Sequence, residues 1–121
     1  MKTIAVIEDN PDNRLLVSAI LEDDYAIVEY ETGPDALEGM QIEVPDLILL
    51  DISLPEMDGV EVLSHIRNDE ILKKIPVIAL TAHAMAGDRE KYLSKGFDEY
   101  ITKPIIDESL LIDAIKQWMP E

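Results

Sequence analysis

Four places in the sequence set polar or charged side chains behind an apolar run. Glu8-Asp9 follow Ile4 to Ile7, Asp51 follows Leu47 to Leu50, Thr81 follows Val77 to Leu80, and Lys103-Pro104 stand close behind Tyr100-Ile101. Taken singly, each has a bland reading as a turn cap, a solvated charge or an ordinary strand residue, because short motifs recur by chance. Taken together they make a set with chemistry. Carboxylates of Glu8, Asp9 and Asp51 gathered at one place repel each other and raise at least one pKa unless a cation neutralises them. The donors are hard oxygens with neither His nor Cys among them, which selects Mg²⁺, with Mn²⁺ or Ca²⁺ behind it, over zinc. An EF-hand does not fit, because counting from Asp9 puts Pro11 at the third ligand position and Ile20 where the bidentate Glu belongs. Carboxylates are ionised at neutral pH, so Asp51 could attack phosphorus without a general base. Phosphoryl transfer then asks mainly for cations and donors aimed at the equatorial oxygens. Mg²⁺ and the Lys103 ammonium would supply the charge, and the Thr81 hydroxyl a hydrogen bond.

Such convergence needs elements that bring the four places together. The apolar runs Ile4–Ile7, Ala26–Val28 with Tyr30, Leu47–Leu50, Val77–Leu80 and Tyr100-Ile101 read as five strands. Three of them are apolar without interruption, as expected where helices cover both faces of a parallel sheet. Helical patterns lie between, the first opening at Asn10-Pro11, a cap followed by a proline suited to the first helical position. Leu15, Leu16, Ala19 and Ile20 are expected to form its inner stripe. Others are expected from Pro34 to Gln41, Gly59 to Arg67, Ala86 to Ser94 and Glu108 to Trp118, with Gly96 and Pro120 near helix ends. Strands alternating with helices give right-handed βαβ units and hence a doubly wound three-layer α/β domain. In such a sheet ligands sit beyond the carboxyl ends of the strands, at the point where the winding reverses, which is where these polar residues fall.

The 121 residues suffice for one domain, and no repeat, linker or low-complexity tract divides them. With 26 acidic against 10 basic side chains the net charge is −16, which argues against direct binding to nucleic acid or to anionic membranes. The lack of cysteine excludes a disulfide framework, a thiolate zinc site and a cysteine nucleophile. It fits the cytosol, as does an N-terminal apolar run too short for a signal peptide or a membrane span.

Across nearly its whole length the chain resembles the receiver domain of two-component response regulators. The resemblance is carried by Glu8-Asp9, by Pro45-Asp46-Leu47-Ile48-Leu49-Leu50-Asp51, by Leu54-Pro55-Glu56-Met57-Asp58-Gly59, by Leu80-Thr81-Ala82 and by Lys103-Pro104, all in family order and spacing. It implies a flavodoxin-like three-layer sandwich with a five-stranded parallel sheet in the order 2-1-3-4-5, forming a single receiver domain over residues 1–121 with no output domain. It implies that Asp51 accepts a phosphoryl group from a histidine kinase or a histidine phosphotransfer protein. Asp9, Asp51 and the Ser53 carbonyl would bind Mg²⁺, Glu8 would support the ion through water, and Thr81 and Lys103 would hold the phosphoryl group. The domain would then be no enzyme in the ordinary sense, but a phosphoacceptor that assists its own phosphorylation and dephosphorylation. Phosphorylation would draw Thr81 inward and let Tyr100 turn into the vacated space, altering a face of the fourth helix, fifth strand and fifth helix that meets a downstream protein target. For Tyr100 the other reading is a strand aromatic packed in the core. Lys103-Pro104 would carry a cis peptide bond, and Ser53 and His83 would tune the lifetime of the phosphoryl group. Gly59 serves either a loop with positive φ, a close backbone passage or an ordinary helix start; His65 is a helical surface residue.

Glu8 stands where the commonest pattern has Asp, and its extra methylene favours water-mediated support over direct ligation. The run from Thr81 to Asp88 is closer to receivers working with hybrid kinases and phosphorelays than to those fused to DNA-binding domains. Rival readings are a receiver-like interaction module that no longer depends on phosphorylation, a metal-dependent aspartyl phosphatase and a flavodoxin-like electron carrier. The phosphatase would want a second acid at position 53, which is Ser, and the electron carrier a phosphate loop where Glu8-Asp9 repel phosphate.

Overall fold

The computed structural model describes residues 1–82, 87–103 and 108–119. Five strands, β1 (Thr3–Ile7), β2 (Ala26–Tyr30), β3 (Leu47–Asp51), β4 (Val77–Thr81) and β5 (Glu99–Thr102), alternate with α1 (Pro11–Leu21), α2 (Gly33–Ile42), α3 (Gly59–Arg67), α4 (Asp88–Ser94) and α5 (Glu108–Trp118). The strands form one parallel sheet in the order β2-β1-β3-β4-β5. Period-two alternation divides their side chains between two cores. Ala5, Ile7, Ile48, Leu50, Val77 and Ala79 face α2 and α3, while Ile4, Val6, Leu47, Leu49, Ile78 and Leu80 face α1 and α5. This two-sided burial is why β3 and β4 are apolar along their length.

Local chemistry starts the helices where expected. The Asn10 side chain accepts from the Asp12 and Asn13 amides with Pro11 at the first helical position, Thr32 caps α2, and Asp58 accepts from the Glu61 amide at 2.9 Å. Two details differ from expectation. On α1 the buried residues are Val17 and Leu21, while Leu15 (70 % exposed), Leu16 (40 %) and Ala19 face outward. Helix α4 begins at Asp88 because Gly87 stands in the left-handed region at φ 88° and ends the approach to it; the expected start at Ala86 lies outside the described residues, as do His83, Pro104 and Pro120. Among the described residues no helix is long and apolar enough to cross a membrane.

Candidate functional site

The chain leaves β1 toward β2 on one side and β3 toward β4 on the other, so the winding reverses between β1 and β3 and the loops behind them part. Three carboxylates meet in that gap. Glu8, Asp9 and Asp51 each offer an oxygen within 4.8 Å of the others, with Glu8 and Asp51 buried and Asp9 half-buried. Lys103, behind β5, reaches back across the sheet to place its Nζ 2.7 Å from Glu8 Oε1 and 3.2 Å from Asp51 Oδ2. The other Asp51 oxygen, Oδ1, accepts from the Ser53 amide at 3.0 Å. Thr81 is buried at the end of β4, and its carbonyl accepts from the Lys103 amide.

One ammonium does not balance three acids. Burial, with the neighbouring Asp51, pushes the Glu8 carboxyl up to about 7, even though the contact with Lys103 pulls the other way. Burial alone would lower Lys103, but the bond it donates to Glu8 and the charge of Asp51 together outweigh it and hold the ammonium above its ordinary value. A group of hard carboxylate oxygens with surplus negative charge, two of them shielded from water, is the donor set of a Mg²⁺ or Mn²⁺ site. The residues therefore fit a divalent cation.

Two features of the β3–α3 loop shape the site. A Cβ on Gly59 would stand 2.5 Å from the Asp51 carbonyl oxygen and 2.6 Å from Ile52 Cα, so glycine is required for close backbone passage and not for positive φ. The left-handed residue is instead Glu56, at φ 64°, across which the Met57 amide closes back onto Pro55. Nothing in the residue types marked Glu56 for that conformation.

Tyr100 packs against the core with its hydroxyl buried and, among the described residues, without a hydrogen-bond partner, its ring stacked on Tyr92 at 5.8 Å. Tyr92, on α4, also meets Phe97 edge-on in the segment before β5. His65 is an exposed α3 residue. Arg14 is the other neighbour absent from the sequence reading: its Nη1 donates to the carbonyls of Glu8 at 2.8 Å and Asp9 at 3.2 Å.

The chain is similar to known proteins. The response regulator receiver domain family matches residues 4–116. The polar-differentiation response regulator DivK of Brucella ovis is 40% identical over 119 residues, covering 98% of this chain and 96% of its own. The signal transduction histidine-protein kinase BarA of Escherichia coli is 43% identical over 109 residues, 89% of this chain but only 12% of that protein, so the chain spans about an eighth of its length. Among solved structures, the receiver domain of sensor histidine kinase PA1611 from Pseudomonas aeruginosa, with a magnesium ion coordinated in its active site cleft, superposes with a TM-score of 0.88 at 33% identity, covering 99% of this chain and 98% of that one. By sequence match, by fold and by the acids its sheet gathers, the chain belongs to the response regulator receiver domains of two-component signalling.

Proposed function

We propose that residues 1–121 act as one receiver unit in which Asp51 takes a phosphoryl group from a histidine kinase or a histidine phosphotransfer protein. The observation that carries the reading is the meeting of buried Asp51 with Glu8, Asp9 and Lys103 at one sheet edge. An Asp51 carboxylate oxygen forms the new O–P bond while the N–P bond of the donor's phosphohistidine breaks and its imidazole leaves. Asp9 and Asp51, with the Ser53 carbonyl, would hold Mg²⁺, and Glu8 would support it through water. When bound, Mg²⁺ supplies positive charge to the oxygens of the transferring group. Lys103 stands ready to leave Glu8 for a phosphoryl oxygen, and the Thr81 hydroxyl donates to another. The domain turns over only its own phosphoryl group, with Ser53 and His83 setting how long it lasts, and the reading places it in the cytosol.

The output is a protein contact. A groove of about 330 Å³ beside β5 and α5, lined in part by Arg89, Tyr100, Thr102, Leu110 and Ala114, supports the α4–β5–α5 face as the surface that meets a target. Tyr100 lines it and also packs against the core, so a change in its rotamer would reach both.

Incubation with Mg²⁺ and a small-molecule phosphodonor, followed by intact-mass spectrometry, tests the reading. One phosphoryl group is expected on the native chain and none on Asp51→Asn. Equal uptake by both, or none by either, would overturn it and favour an interaction module independent of phosphorylation.

A further inference from the structure

Of the two acids on the β1–α1 turn, Glu8 ties its side chain to the turn only through a 3.4 Å bond accepted from the Asn10 amide. Asp9 is half-buried, and among the described residues its carboxylate accepts no hydrogen bond; Glu8 and Asp51 repel it. What fixes the turn is chiefly the set of partners its backbone groups find. The Glu8 amide donates to the Tyr30 carbonyl at 3.0 Å, Asn10 caps α1, and Arg14 takes both carbonyls between them. Two successive carbonyls drawn to one guanidinium nitrogen set the peptide planes on either side of Asp9, and so the direction in which Asp9 leaves the chain. The Arg14 Nε lies 3.3 Å from Glu29 on edge strand β2, which aims the guanidinium toward the turn.

We propose that Arg14 is a positioning residue for the metal site: it holds the β1–α1 turn so that Glu8 and Asp9 converge on Asp51, and Glu29 orients it. Arginine suits the task because its planar fork offers several donors in fixed relation, whereas lysine is a single point charge on a flexible stem. The inference rests on the reading of this edge as a Mg²⁺ site.

Positioning and simple charge predict opposite signs. If Arg14 acted only as a cation near a cation site, its removal would tighten Mg²⁺ binding, whereas loss of a positioning group weakens it. Calorimetric titration of Mg²⁺ into the native chain, Arg14→Gln, Arg14→Lys and Glu29→Gln, with the metal-free unfolding midpoint of each, decides between them. Loss of groups that orient ligands typically weakens metal binding by about 10- to 100-fold, and a weakening of about tenfold is expected for Arg14→Gln. Arg14→Lys should be weakened despite its retained charge, and Glu29→Gln less so. Phosphoryl uptake by Arg14→Gln should recover toward the native rate at saturating Mg²⁺, which a misfolded site would not do. Unchanged or tighter binding in folded Arg14→Gln overturns the proposal; if that variant does not fold, unchanged binding in Arg14→Lys overturns it and weaker binding supports it. A native chain that binds no Mg²⁺ overturns the site reading and this inference together, whereas native and variant chains that bind alike sink the inference alone.

Discussion

A carboxyl group buried beside a second carboxylate is a weaker acid than in water, and Glu8 is held in that state, with its pKa up at about 7 from an ordinary 4.5. The folded chain then binds this proton more tightly than the unfolded one. The stability linked to it is complete below about pH 4.5 and is lost as pH rises through about 7. Every surface acid also gains charge through the lower part of that window, so the informative quantity is the difference between native chain and Glu8→Gln, both metal-free. Chemical unfolding across pH 4.5 to 8 should show the native chain losing up to a few kcal/mol relative to the variant. A pH-independent difference would contradict the geometry around Glu8. That the acids would meet, and that one pKa would be pushed up, was legible in the residue types, because like charges at strand ends behave the same way in any sheet that gathers them. The direct Glu8–Lys103 contact was not, since side chains separated by 95 positions can be placed only once the sheet exists.

Among the elements, β3 and β4 were readable because unbroken apolar runs leave little choice, and α3 and α5 because their apolar residues recur at helical spacing. Helix α1 was harder: it carries two apolar stripes, and either could satisfy a helical period. The stripe through Leu15, Leu16, Ala19 and Ile20 is the more apolar, yet only Ile20 of it packs against the core, and the sheet buries Val17 and Leu21, with Arg14 at their loop end in the same i, i+3, i+7 relation. Turning the other stripe inward would carry Arg14 away from the turn that holds the acids. Leu15 and Leu16 are left exposed on the helix that begins directly behind Glu8-Asp9. On the proposed reading, a protein that delivers phosphoryl to Asp51 would cover that rim, whereas a small phosphodonor would not. Leu15→Arg is therefore expected to cut kcat/KM for transfer from a phosphohistidine protein by about tenfold, equivalent to about 1.4 kcal/mol. Its rate with the small donor should stay native, and equal slowing with both donors would show that the substitution had disturbed the site instead.

For the whole molecule, the net charge of −16 opposes compaction everywhere, but among the described residues one cluster of acids concentrates it in a form that an ion can enter. The two effects respond differently to salt. Monovalent ions screen surface charges, with a Debye length of about 8 Å at physiological strength, and should raise the unfolding midpoint of native chain and Asp51→Asn alike. Mg²⁺ adds a bound-state term, which by mass action reaches about 2.7 kcal/mol at a concentration of about 100 Kd. At roughly 4 °C per kcal/mol for a domain of this size, that is a shift of about 10 °C. Thermal unfolding in Mg²⁺ and in sodium salt of matched ionic strength should then separate for the native chain. The separation should shrink in Asp51→Asn, which keeps Glu8, Asp9 and the overall charge to within one unit but removes a buried carboxylate of the cluster. Curves that coincide in the native chain would mean that Mg²⁺ acts on this acidic surface only as an atmosphere, and that the three acids between β1 and β3 do not act as a site.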